Sequence, residues 1–181
     1  MVKKKPFQWQ LLVLAVLCSA LVFGDCQLNK NPPLPETIDF GPDEGISYRT
    51  DQNVATGPQD PSDWTLDRTW NEPEQSLFAS LGLNLNGAAQ GTASDISAYP
   101  NPATTATSFR YDTPDAVKCQ IIVVGDTYQS YYLQTFSTPA RNLVLPLDLN
   151  AFPKGKRYRI YYVLYNGTTL YYKGHGDIKV N

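Results

Sequence analysis

Histidine occurs once in this chain of 181 residues, at position 175, and cysteine occurs three times. A Ser-His-Asp or Cys-His pair would have to use His175. Its setting, Lys-Gly-His-Gly-Asp, reads as a tight polar turn with a surface histidine. Zinc needs clusters of His and Cys that this sequence lacks. No glycine-rich loop precedes a helix to cradle phosphate. The 15 basic and 17 acidic residues leave a net charge of −2, which argues against a nucleic-acid partner. The apolar run 11–23 is too short to cross a bilayer. An enzyme, a metal site and a bound cofactor are therefore not expected.

The cysteines and acids carry little chemistry either. Cys119 lies in the apolar run VKCQIIVV and reads as a small buried hydrophobe, with no basic partner to activate it. Asp60, Asp63 and Asp67 have no cleft-forming domain around them and read as a flexible acidic segment rather than a glycosidase dyad. Asp39, Asp43 and Glu44 match no calcium loop and read as a solvated turn. Asn166-Gly167-Thr168 is a glycosylation sequon, read here as a turn.

What is present falls into four stretches. Residues 1–25 read as a signal peptide, with Lys3, Lys4 and Lys5 ahead of the apolar core. Cys26 follows directly. A cysteine just after such a core resembles the acylated first residue of a mature bacterial lipoprotein, so Cys26 is the expected lipid anchor. Residues 26–60 read as an extended tether, opening on Pro32-Pro33-Leu34-Pro35 and continuing through turn residues with few apolar ones.

Residues 61–95 hold Trp64, Trp70 and one short helix. Asn71 is its expected cap, Pro73 suits its first turn, Leu77, Phe78 and Leu81 form its apolar stripe, and Gly82 ends it. Three turns cannot stand alone in water, so Trp64, Trp70 and Phe78 form an expected docking segment, for the chain's own surface or a partner. Residues 86–95 read as a flexible joint.

From 96 to 181 the chain is strand after strand. Eight short strands are predicted, at 96–99, 107–111, 117–124, 128–136, 142–147, 158–165, 170–173 and 177–180. Turn signals about every ten residues argue for an all-β fold, an antiparallel sandwich of immunoglobulin type. The strongest local signal is Asn166-Gly167 between two aromatic runs, which predicts a two-residue hairpin with Tyr161 opposite Tyr172 and Val163 opposite Leu170. Neither face of that hairpin is polar.

Tyr99-Pro100-Asn101-Pro102, the LPLDLNAFPKGKRYRIYYVLYNG stretch and the closing KGHGDIKVN resemble the type A C-terminal sorting domain of Bacteroidota type IX secretion cargo. The resemblance covers about the last half of the chain. It implies a small immunoglobulin-like sandwich used as an export address. It also implies that Tyr158, Ile160, Tyr162 and Leu164 point inward. Tyr161, Val163, Tyr165, Leu170 and Tyr172 would then form an outer binding patch flanked by Arg157 and Arg159, for a protein or a glycan. The alternative is that Trp64, Trp70 and the helix cover this face within the chain.

With no cargo domain between Cys26 and the sandwich, the expected protein is a lipid-anchored outer-membrane lipoprotein, on the periplasmic or cell-surface face. It would present its domain as a structural or protein-binding accessory of a secretion, gliding or uptake machine. A secreted cargo with a sorting domain and a surface glycan-binding module are the alternatives.

Overall fold

The computed structural model describes residues 36–41 and 45–181, all within one compact unit. The signal segment, Cys26 and the start of the tether lie outside the described residues. So do residues 42–44, which include Asp43 and Glu44.

The fold is all-β, with one short helix. Five strands form a single antiparallel sheet: β1 (Ser94–Tyr99), β2 (Ala106–Val124), β3 (Ser130–Asp148), β4 (Lys156–Asn166) and β5 (Thr169–Val180). β2 organises it. Its first half pairs with β1, its second half pairs with β4, and β3 runs along its other side. β5 then pairs with β4.

The sheet curls where the β2–β3 ladder breaks, between the pairs Asp112–Asn142 and Val117–Ala140. Pro114 falls in this gap and Pro139 in the next irregularity, between the pairs Val117–Ala140 and Cys119–Phe136, and neither has an N–H for the ladder. Thr113 Oγ1 stands 2.8 and 2.9 Å from the carbonyl oxygens of Asp115 and Arg141, which share its one O–H, and holds the corner. Folded over in this way, Phe109 and Tyr111 of the first half of β2 pack with Cys119, Ile121, Tyr162 and Ile178 in one core. The Phe109 and Tyr162 rings stand 5.4 Å apart.

The eight predicted strands are thus five long ones. The breaks expected between 111 and 117 and between 136 and 142 became bends inside continuous strands. Those at Gly174 and Gly176 mark close approach instead. A Cβ on Gly174 would stand 2.2 Å from the Thr65 carbonyl oxygen, and one on Gly176 2.3 Å from the Trp64 ring.

The β4–β5 hairpin forms, with a different register. Asn166 pairs with Thr169, so Gly167 and Thr168 make the turn, with Gly167 at φ +57°. A bulge then shifts the ladder between Leu164 and Tyr165. Tyr161 lies opposite His175 rather than Tyr172, and Val163 lies opposite Lys173 rather than Leu170. One inserted residue also reverses side-chain parity beyond it. Tyr172 therefore packs with Tyr162 in the inner core, whereas Leu170 stays with Tyr161 and Val163 on the opposite face.

The described part of the expected tether does not stand free. Ile38, Phe40 and Ile46 are buried, and Arg49 exchanges backbone hydrogen bonds with Asn101. The following segment crosses the sheet. Its helix, α1 (Glu72–Ser76), is capped as its sequence predicts: the Asn71 side chain accepts from the Glu74 N–H and the Glu74 carboxylate accepts from the Asn71 N–H. A 3₁₀ turn (Ala79–Leu81) continues it, and Gly82 closes it at φ +63°. Nor are residues 86–95 a loose joint, because Gln90 and Gly91 donate backbone hydrogen bonds to Leu170 and Tyr171 of β5.

Candidate functional site

The hairpin's outer face was the expected binding patch, and its side chains are covered. Tyr161 and Val163 are fully buried, and Tyr165 and Leu170 are nearly so. Their cover is the chain's own N-terminal part: Ile38, Phe40, Trp70, Phe78 and Leu85 pack over Ile122, Val124, Tyr161 and Val163 as a second core. Trp70 stacks on Phe78 at 5.3 Å and meets the Tyr161 ring edge-on at 5.4 Å. The Tyr161 hydroxyl donates to Glu74 Oε1 at 2.9 Å, which joins the lid helix to the sheet. Burial pushes the Tyr161 hydroxyl well above its ordinary range.

The docking segment thus docks on its own chain. Trp64 belongs to the inner core, 6.3 Å from Phe109, and its backbone N–H donates to the His175 carbonyl at 2.7 Å. Of the five patch residues, four share the covered face, and Tyr172 stacks against Tyr162 at 6.4 Å on the other. As an exposed aromatic surface the patch is not there.

A polar network underneath fixes the N-terminal strap, residues 36–41 and 45–67, to β5. Asp63, expected in a flexible acidic run, is buried. Its carboxylate accepts the Ser47 and Asp177 backbone N–H groups, each at 2.8 Å. Arg159, expected beside an outer patch, is also buried and forks onto Asp177, with Nε donating at 2.7 Å and Nη2 at 2.6 Å. The same Nη2 donates to the Asp39 carbonyl at 2.9 Å. Asn101, of the Tyr-Pro-Asn-Pro stretch, donates to the carbonyls of Ser47 and Asp177 and accepts from Lys179 N–H. Burial, and then the neighbouring Asp177 carboxylate, push the Asp63 carboxyl up to about 7, against the pull of its two N–H donors.

His175 does not lie in a surface turn. It sits within β5, and its Nδ1 is 2.8 Å from Asp67 Oδ2, which also accepts the Trp70 indole N–H at 2.7 Å. Next to it, Lys173 is buried with no hydrogen-bond partner on its amine, which lies 4.4 Å from the centre of the Trp70 ring. Burial pushes that amine down to about 8. Cys119 is fully buried, and burial pushes its thiol up, which suits an inert core residue.

Depressions on the described surface include the following two. One, of about 640 Å³, is lined by Phe40, Asp126, Tyr131, Lys156, Tyr158 and Lys179, among others. The second, of about 250 Å³, lies between Leu66, Arg68, Gly87 and Leu170. Neither is lined by Asp63, Arg159, His175 or Asp177. Among the described residues no cluster of His, Cys, Asp and Glu is arranged to hold a metal ion, and no helix is long and apolar enough to cross a membrane.

Sequence reading found the aromatic docking residues and the helix cap. It missed the roles of Asp63, Arg159, Asp177 and Asn101, which carry no spacing signal because their contacts span from 16 to 114 residues of chain. No protein-family model matches this chain, and no curated protein aligns with it significantly.

Proposed function

We propose that this chain is a non-enzymatic envelope lipoprotein, acylated at Cys26. Its closed β-domain serves as a structural or protein-contact subunit of an outer-membrane assembly. One observation carries the reading: the side chains with the most reactive potential are spent on holding the strap to the sheet. Asp63, Asp67, Arg159, His175 and Asp177 all find partners within the chain. The sequence adds the anchor, through the apolar run 11–23 and the cysteine after it.

The packed strap also sets the domain's distance from the bilayer. Chain from Cys26 to Glu36 reaches at most about 35 Å when fully extended. A domain attached in this way works close to the membrane surface. The resemblance to type IX sorting domains fits the same envelope setting, with a secreted cargo as the competing outcome.

Metabolic labelling with a palmitate analogue tests the reading. The wild-type chain is expected to take the label and to fractionate with the outer membrane, and Cys26→Ala to lose it. An unlabelled wild type recovered from the medium would contradict the anchor and favour the cargo reading.

A further inference from the structure

Two of the outer strands of the sheet, β3 and β5, are treated differently by the rest of the chain. β5 is covered along its length by backbone bonds: Trp64 N–H to the His175 carbonyl, Asp67 to Lys173, Gln90 to Leu170, Gly91 to Tyr171 and Ala103 to Lys179. β3 pairs with β2 alone, and among the described residues no backbone group outside the hairpin bonds to its outer edge. An open row of N–H and C=O groups is a template for another extended strand.

Most of that edge carries the features that discourage such pairing. The ladder is irregular at Tyr131, between the pairs Val124–Ser130 and Val123–Tyr132. Pro139, Arg141 and Pro146 interrupt the far half. Between these guards runs Tyr132-Leu133-Gln134-Thr135-Phe136, in regular register with β2, with no charge and no proline. Leu133, at its heart, is 58% exposed, the most exposed large apolar side chain among the described residues.

We propose that this run pairs with the same run of a second copy, antiparallel about a two-fold axis at Gln134. That register uses every residue of the unguarded run. It places Tyr132 opposite Phe136 and Leu133 opposite Thr135, with Gln134 facing its twin. Aromatic pairs across a ladder are stabilising, and no like charges meet. The two Leu133 side chains become diagonal neighbours on one face, and the Tyr132 and Phe136 rings, already packed against the inner core, extend it into the partner. A two-fold contact of this kind is closed, so it stops at a dimer. This deepens the protein-contact reading by naming the contact, and it does not depend on the anchor.

Gln134→Cys in the full chain tests it under mild oxidation. Residues paired across an antiparallel ladder have Cα atoms about 4.5–5.5 Å apart, within disulfide range. The variant is expected to trap at least five times more dimer than the wild type or Val144→Cys, whose site is 57% exposed on the guarded half. Adding Leu133→Lys should abolish the trapping. Equal crosslinking at 134 and 144, or none at 134, overturns the proposal. As a second readout that needs no new cysteine, sedimentation of the wild-type chain should show a dimer that Leu133→Lys reduces to monomer. A monomeric wild type, or a β3 edge occupied only by an added extended peptide, also overturns it. Either failure leaves the palmitate result untouched, so the two readings fail separately.

Discussion

Folding takes Asp63 out of water and sets it near Asp177, which favours its protonated form. Its carboxyl rises from 3.8 to about 7, so between those values the folded state binds more protons than the unfolded chain. The stability it contributes is full below about pH 4 and is lost as the pH climbs through 7. Lys173 acts in the other sense. Its amine falls from 10.5 to about 8, so the cost of burying it is fully present below 8 and fades as the pH rises toward 10.5.

Two variants separate these effects. Asp63→Asn leaves one oxygen for two N–H donors, so at pH 5 it should be less stable than the wild type by about 1–3 kcal/mol. The gap should narrow by pH 8 in thermal melts followed by circular dichroism. A gap that widens with pH would refute the raised carboxyl. Lys173→Met keeps the stem and removes an amine without a hydrogen-bond partner. It should raise stability at pH 7 by about 1–3 kcal/mol, and it should lose the wild type's gain between pH 8 and 10.

At the scale of elements, the lid is a capped helix too short to stand alone, held by what it covers. Trp70→Ala removes a ring that touches Phe78, Tyr161 and Lys173, and is expected to cost about 3–5 kcal/mol in denaturant unfolding. Asn71→Ala removes the cap and two exposed side-chain hydrogen bonds, to Glu36 and Tyr128, and about 1 kcal/mol is expected. Equal losses from the two would mean that the lid is held by its helix rather than by its tryptophan.

These elements also show what sequence can and cannot disclose. Asn71, Pro73, Glu74 and Gly82 act on neighbours a few residues away, so their roles could be read directly. The hairpin was equally visible, but its register was not. Asn-Gly and Gly-Thr both suit a two-residue loop, and the bulge beside Tyr165 depends on contacts from elsewhere. Residues 36–60 looked like a tether because turn residues recur in them and apolar ones are few. Their few apolar side chains, Ile38, Phe40 and Ile46, are enough once Arg159, Asp177 and Asn101 supply polar partners. Those partners come from strands more than 50 residues away, and no local pattern announces them.

For the whole molecule, the all-β reading held and the exposed patch did not. β4 is apolar on both sides because both sides are buried, one by the curled sheet and the other by the chain that precedes it. The N-terminal strap, the tryptophan lid and the sheet are therefore parts of one folded unit. Hydrogen exchange on the native full-length chain, read by mass spectrometry, tests this most directly. The account predicts that the amides of Trp64, Asp67, Gln90 and Gly91 are protected to nearly the same degree as those of Tyr161 to Tyr165, and that all are lost together near the unfolding midpoint. Exchange of residues 64–91 within seconds, with β4 still protected, would show a loose segment beside a separate domain and contradict it.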